Sequence, residues 1–224
     1  MIPIRTLVVG GHTRNIGKSA LVVDIIRAFP ETAWTAVKLT QHGHGVCAIN
    51  GASCDCAPLD HGFALDEEQD RSNRTDTSRF LVAGAARSLW VRTRQGCLGD
   101  FLPRLWQELQ SASNVILESN SVLEFLRPEL YLMVLDPAKV DFKDSARRFL
   151  DRADAFVLRA PLDGAPWLRA DRGSPLISPQ LMEGKPSFEQ PLGGELPASL
   201  IGFLRQHFFT HSPLPAAHAP DISC

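Results

Sequence analysis

The chain has 224 residues, with 23 Lys and Arg against 25 Asp and Glu and a formal net charge of −2. That length suits one α/β domain with a proper core, and the near-neutral charge gives no electrostatic reason to expect a nucleic-acid partner. The apolar runs are strand-sized, which excludes a membrane span, and the first strand starts close to Met1, leaving no room for a signal peptide, so a cytoplasmic protein is expected.

The first element reads Leu7-Val8-Val9-Gly10-Gly11, an apolar β-branched strand ending in two glycines. It crosses His12-Thr13-Arg14-Asn15-Ile16 and meets Gly17-Lys18-Ser19, after which Leu21, Val22, Ile25, Ile26 and Phe29 carry a helical stripe. Strand, glycine loop and helix start in that order are the context of a phosphate-binding loop. Its backbone N–H groups and the helix N-terminus would point at phosphate oxygens. Residues Gly11, His12, Thr13, Arg14, Asn15, Ile16, Gly17, Lys18 and Ser19 are therefore the candidate nucleotide contacts. Lys18 would reach the β- and γ-phosphates, and the Ser19 hydroxyl would sit on Mg²⁺. The plainer alternative is a strand, turn and helix with an exposed lysine. The spacing, G-x5-G-K-S, resembles the loop of dethiobiotin synthetase and the cobyrinic acid synthetases more than that of Ras-like GTPases.

A second strand is expected over Ala33 to Leu39. Residues 40–75 then break every periodicity and carry three cysteines, three histidines and the run Asp66-Glu67-Glu68. So long a loop is functional or disordered, and its residue types point to function. Asp76 to Ala86 reads as a helix with Thr75 or Asp76 as N-cap. Ser88 to Thr93 is a strand, Asp100 to Ser111 a helix, and Asn114 to Glu118 and Leu130 to Leu135 are runs suited to central strands. Ser145 to Ala153 reads as a basic amphipathic helix and Ala155 to Leu158 as a strand. From Pro161 the pattern weakens until one more helix, Ala198 to His207. Strands alternating with helices predict an α/β fold, a three-layer α/β/α P-loop NTPase with a mostly parallel sheet. Residues 1–208 would form one domain with a Cys/His-rich insertion at 40–75, and 209–224 a flexible tail.

Glu118 ends the strand Val115-Ile116-Leu117-Glu118, where a carboxylate can hold Mg²⁺ or polarise the attacking group. Asn120 and Ser121 follow, as further polar contacts or as caps of the next turn. The segment Asp76-Thr77-Ser78-Arg79, continuing to Ala83-Gly84-Ala85, resembles the D-[ST]-x-R-x3-A-G-A signature of molybdopterin-guanine dinucleotide biosynthesis protein B. Gly17-Lys18-Ser19, Val37-Lys38 and Leu117-Glu118 match that family's other landmarks in order. They cover roughly the first 120 residues. The loop is one residue longer here, and Ser119 stands where the family has glycine. The resemblance implies that Lys38, Asp76, Thr77 and Arg79 face the nucleotide or a second phosphorylated ligand, with Lys18, Lys38 and Glu118 catalytic. It also implies a role in molybdenum cofactor assembly with a partner protein. A cap and a solvated ion pair are the alternative for Asp76 and Arg79.

Cys47, Cys54, Cys56 and His61 supply four ligands, enough for a tetrahedral Zn²⁺ or Fe site, with His42 and His44 as competitors. A redox Cys54/Cys56 pair, an Fe–S cluster and free thiols are the other readings. No N-K-x-D follows Ala155 to Leu158. Arg159 could stack on a base and Asp163 could accept from guanine, so Mg²⁺ is expected with either ATP or GTP. A homodimer stays open, as do two other functions: a metal-carrying nucleotide switch, and a small-molecule kinase or ligase.

Overall fold

The structure, a computed structural model, describes residues 4–42, 63–169 and 176–209. Eight strands form one sheet: β1 (Arg5–Gly11), β2 (Thr35–His42), β3 (Phe63–Glu67), β4 (Arg87–Arg94), β5 (Asn114–Glu118), β6 (Leu130–Leu135), β7 (Ala155–Leu158) and β8 (Ser187–Glu189). Their order is β3-β4-β2-β5-β1-β6-β7-β8, and every pairing is parallel except β3 with β4. Among the described residues the α-helices are α1 (Lys18–Ala28), α2 (Asp76–Ala83), α3 (Leu98–Glu108), α4 (Asp144–Arg148) and α5 (Ala198–Leu204).

The pleat sends alternate residues of each strand to opposite faces, so a sheet covered on both sides needs strands that are apolar throughout. β6 meets that condition fully, with all six residues buried. Along β1, Leu7 and Val9 join the core beneath α1, α2 and α5, whereas Val8 joins the one beneath α3 and α4. These two cores, one on each face of the mostly parallel sheet, make a three-layer α/β/α fold. Trp34 and Phe208, stacked at 5.3 Å, seat the π-helical turn Arg205–Phe209, which follows α5, on the first core.

Three expectations are corrected. Residues 63–67 form the antiparallel edge strand β3, and β2 runs on to His42, so the stretch 40–75 is not loop throughout. Leu65 packs on the α3-side core and Phe63 against Phe101, their ring centroids 4.6 Å apart. The helix expected over 145–153 is α4 followed, past Phe149, by the 3-10 turn Leu150–Arg152. Finally, α5 continues as a π-helical turn, Arg205–Phe209, and Phe209 packs 4.8 Å from Phe29. Of the expected tail, 209–224, all but Phe209 lies outside the described residues.

Candidate functional site

β1 stops at the carboxyl edge of the sheet, and the chain turns through His12–Gly17 into α1. Asn120 clamps the exit. Its Oδ1 accepts from the Gly11 N–H at 2.9 Å and its Nδ2 donates to the Gly11 carbonyl at 2.8 Å. This close approach explains Gly10, where a Cβ would sit 2.8 Å from the Tyr131 ring and collide with Asn120. Gly17 has φ 83°, a left-handed conformation that releases the chain into α1. No acidic residue lies in the first turn of α1, and its first N–H groups have no intrahelical partner, so this helix end is suited to an anion. The Lys18 Nζ folds back onto the Thr13 carbonyl at 3.0 Å. Burial lowers the pKa of that ammonium, and Glu118 counters the shift.

The register brings the remaining charged groups to the mouth of the loop. Glu118 on β5 lies beside Val9 of β1 on one side and Lys38 of β2 on the other. Its Oε2 accepts from the Ser19 hydroxyl at 2.7 Å and lies 3.5 Å from the Lys38 Nζ. The Lys38 Nζ also reaches the Ser19 Oγ at 3.3 Å and pairs with Asp76 at the first turn of α2. Arg79, one turn later, pairs with the other Asp76 oxygen at 3.2 Å. Burial disfavours the Lys38 charge, but Glu118 and Asp76 together hold its pKa above the ordinary value. Burial likewise opposes the Asp76 charge, and Lys38 keeps that carboxyl below its usual range. Side chains from four elements, α1, β2, α2 and β5, thus form one polar cluster at the loop. Their oxygens, from Ser19, Asp76 and Glu118, are all hard donors of the kind Mg²⁺ takes, so the cluster fits that ion.

Other expected residues have different surroundings. Arg14 and Asn15 are exposed at the loop tip, whereas Ile16 is packed into the core beneath α1. Thr13 is bonded to Asp141. Thr77 donates to Glu68 at 2.7 Å and so fixes the approach to α2. The His12 ring is fully buried between Phe142 and Trp167, at 5.1 and 5.6 Å, and its backbone N–H donates to the Val134 carbonyl at 3.2 Å. Burial, reinforced by Lys18, lowers the pKa of His12 to about 4 and keeps it neutral. Arg159, expected as a candidate base contact, is engaged with the protein itself. Its guanidinium is buried against the outside of the loop, donating to the carbonyls of Ile16 at 2.9 Å and Gly17 at 2.6 Å. Ser121 donates to Gln41 at 2.8 Å.

Three participants gave no local signal in the sequence: Lys143, Gln190 and Asp24. The Lys143 N–H donates to the His12 carbonyl at 2.8 Å, and burial, then Lys18 and Arg14, lower its ammonium pKa to about 8. Gln190 joins Arg159 to Asp24. Only the long-range fold brings these residues together. Cys47, Cys54, Cys56, His61 and His44 lie outside the described residues. Among the described residues no three His, Cys, Asp or Glu side chains converge as a metal-ligand group, and none of the helices is long and apolar enough to cross a membrane.

No family model and no curated protein matches the sequence. Among solved structures, the chain is similar to LpxK from Aquifex aeolicus in complex with ATP, at 16% identity and a TM-score of 0.46. That likeness covers 84% of this chain and 54% of the other, so the chain spans about half the length of that relative. HypB from Helicobacter pylori in complex with nickel is similar at 11% identity and a TM-score of 0.44, covering 93% of this chain and 91% of that one. A Zn(II)-bound triple mutant of the GTPase YjiA is similar at 10% identity and a TM-score of 0.42, covering 89% and 61%. Likenesses of this degree bear on neither ligand nor reaction.

Proposed function

We propose that this protein binds a Mg²⁺-complexed nucleoside triphosphate on the loop Gly11–Ser19 and cleaves or transfers its γ-phosphoryl group. The observation that supports it is the cluster of Lys18, Ser19, Lys38, Asp76 and Glu118 at a glycine loop that opens into a helix N-terminus. Two ammonium groups and the first-turn N–H groups supply the positive field a polyphosphate needs, while three oxygen donors stand ready for its cation. Lys18 would exchange the Thr13 carbonyl for the β- and γ-phosphates. Lys38, held in an ion pair with Asp76, would release that carboxylate and turn to the γ-phosphate. Ser19, Asp76 and Glu118 would hold the cation, directly or through water, and Glu118 would also orient the attacking hydroxyl. Bound Mg²⁺ supplies neutralisation of charge on the phosphate oxygens.

The resemblance of Asp76-Thr77-Ser78-Arg79 and Ala83-Gly84-Ala85 to the molybdopterin-guanine dinucleotide biosynthesis signature supports an accessory role in molybdenum cofactor assembly. Cys47, Cys54, Cys56 and His61 would add a Zn²⁺ or Fe site; the composition of that set is its support.

The test is Glu118→Gln. Glutamine keeps the volume and can still contact Ser19, but it removes the charge that the cation and the nucleophile need. Turnover of ATP or GTP should fall at least about tenfold, while nucleotide affinity stays within about threefold, the pattern of a group acting in the transition state. Unchanged turnover would remove Glu118 from the chemistry, and no turnover of either nucleotide by wild type would contradict the proposed reaction.

A further inference from the structure

The loop is braced from outside by a cation that the polyphosphate would not touch. Arg159 follows β7 and is 8% exposed. Its Nε donates to the Ile16 carbonyl at 2.9 Å, its Nη2 to the Gly17 carbonyl at 2.6 Å, and its Nη1 to both the backbone and side-chain oxygens of Gln190, each at 3.0 Å. Gln190, 1% exposed just after β8, is fixed in turn by its amide, which donates to Asp24 of α1 at 2.9 Å and to the Gly194 carbonyl at 3.3 Å. A ring of contacts therefore runs from α1 through the turn after β8 to Arg159 and back to the residue that precedes α1.

The effect on the loop follows from covalent geometry. A trans peptide unit is planar, so its C=O and the N–H of the next residue point in opposite directions. The Gly17 carbonyl also accepts the first bond of α1, from the Leu21 N–H at 3.0 Å, so helix and guanidinium fix it together; with the Ile16 carbonyl on the guanidinium as well, the N–H groups of Gly17 and Lys18 point to the opposite side of their peptide planes. Those are two of the donors a phosphate would meet. The guanidinium itself sits behind the loop, where its charge adds to the attraction for an anion. A Cβ on residue 17 would lie 2.9 Å from the Arg159 Nη2, so glycine at this position also makes room for the brace.

We propose that Arg159, held by Gln190 and Asp24, is the positioning residue of this loop: it sets the direction of the Gly17 and Lys18 N–H groups and so the affinity for a polyphosphate. This rests on reading Gly11–Ser19 as a phosphate-binding loop. Lysine cannot replace Arg159, because one ammonium cannot serve two carbonyls and Gln190 in the fixed plane of a guanidinium fork.

The experiment compares wild type, Arg159→Lys and Gln190→Ala in two measurements: calorimetric titration with sodium tripolyphosphate, which has no nucleoside part, and amide hydrogen exchange. Arg159→Lys should bind tripolyphosphate about tenfold more weakly and Gln190→Ala about threefold, with Gln190→Ala keeping the proposal testable should the lysine variant fold poorly. Exchange should accelerate at residues 16–19 while the amides of β1 and β6 keep their wild-type rates. An affinity within twofold of wild type for Arg159→Lys, or acceleration spread evenly over the sheet, would overturn the proposal, the second result marking a merely structural arginine. If wild type takes up no tripolyphosphate, the phosphate-loop reading fails. Exchange then decides the brace alone, supported by acceleration confined to the loop and overturned by uniform acceleration.

Discussion

Two side chains beside the loop carry opposite instructions about charge. His12 is sealed between two aromatic rings, and its pKa of about 4 leaves it neutral throughout the physiological range. Lys143 is half-buried with a pKa lowered to about 8 by burial, Lys18 and Arg14, so it is charged below that pH and neutral above it. A polyphosphate on the loop would favour the charged form and raise the pKa again. Binding should therefore take up a proton in the window above about pH 8, and affinity should decline as pH rises through it. Titrations at pH 8.5 in buffers of different ionisation enthalpy read the proton directly, and Lys143→Met should abolish the uptake. Binding heats independent of the buffer would place Lys143 outside the field of the ligand. Neither role was legible in the sequence. A histidine in a glycine loop looks like a ligand contact until Phe142 and Trp167 close over it, and Lys143 sits in a stretch without any motif.

At the scale of elements, the junction of β1, β5 and the loop is the part most sensitive to volume. Gly10 packs against Asn120 and Tyr131, and the Asn120 amide closes both backbone groups of Gly11. Gly10→Ala should push Asn120 off its two hydrogen bonds and cost about 1–3 kcal/mol, with a lower urea midpoint at an unchanged m-value. An unaltered midpoint would mean that the strand shifts freely and that the clamp does not hold the loop. The strands around this junction were the legible ones. Asn114–Glu118, Leu130–Leu135 and Ala155–Leu158 are legible to the residue because both faces of a central strand are covered and the runs are apolar, save for the end residues Asn114 and Glu118 of the first. β3 and β8 were not read. At five and three residues, half-exposed at the sheet edges, they present neither a long apolar run nor a sustained alternation. A motif resemblance suggests that Lys38 and Asp76 belong to one site, though not that they pair, whereas the brace of Arg159, Gln190 and Asp24 joins residues far apart in the chain, in part through backbone carbonyls, which carry no residue signature.

The whole molecule is arranged to hold one loop at the carboxyl edge of a parallel sheet. β1 is central, with β5 on one side and β6 on the other, so the loop is flanked by Glu118 at the end of β5 and by the segments after β5 and β6 that carry Asn120 and Lys143. Two cores grip the sheet from both faces, and the polar cluster lies at the carboxyl edge between them. The central claim is that this place binds a nucleoside triphosphate with Mg²⁺. Calorimetric titration of wild type and Lys18→Ala with ATP and with GTP, each with and without Mg²⁺, tests it most directly. The account predicts saturable binding of at least one nucleotide by wild type, stronger with Mg²⁺, and a loss of at least about tenfold, 1.4 kcal/mol, in Lys18→Ala. Equal affinities in the two proteins, or no binding of either nucleotide, would contradict it.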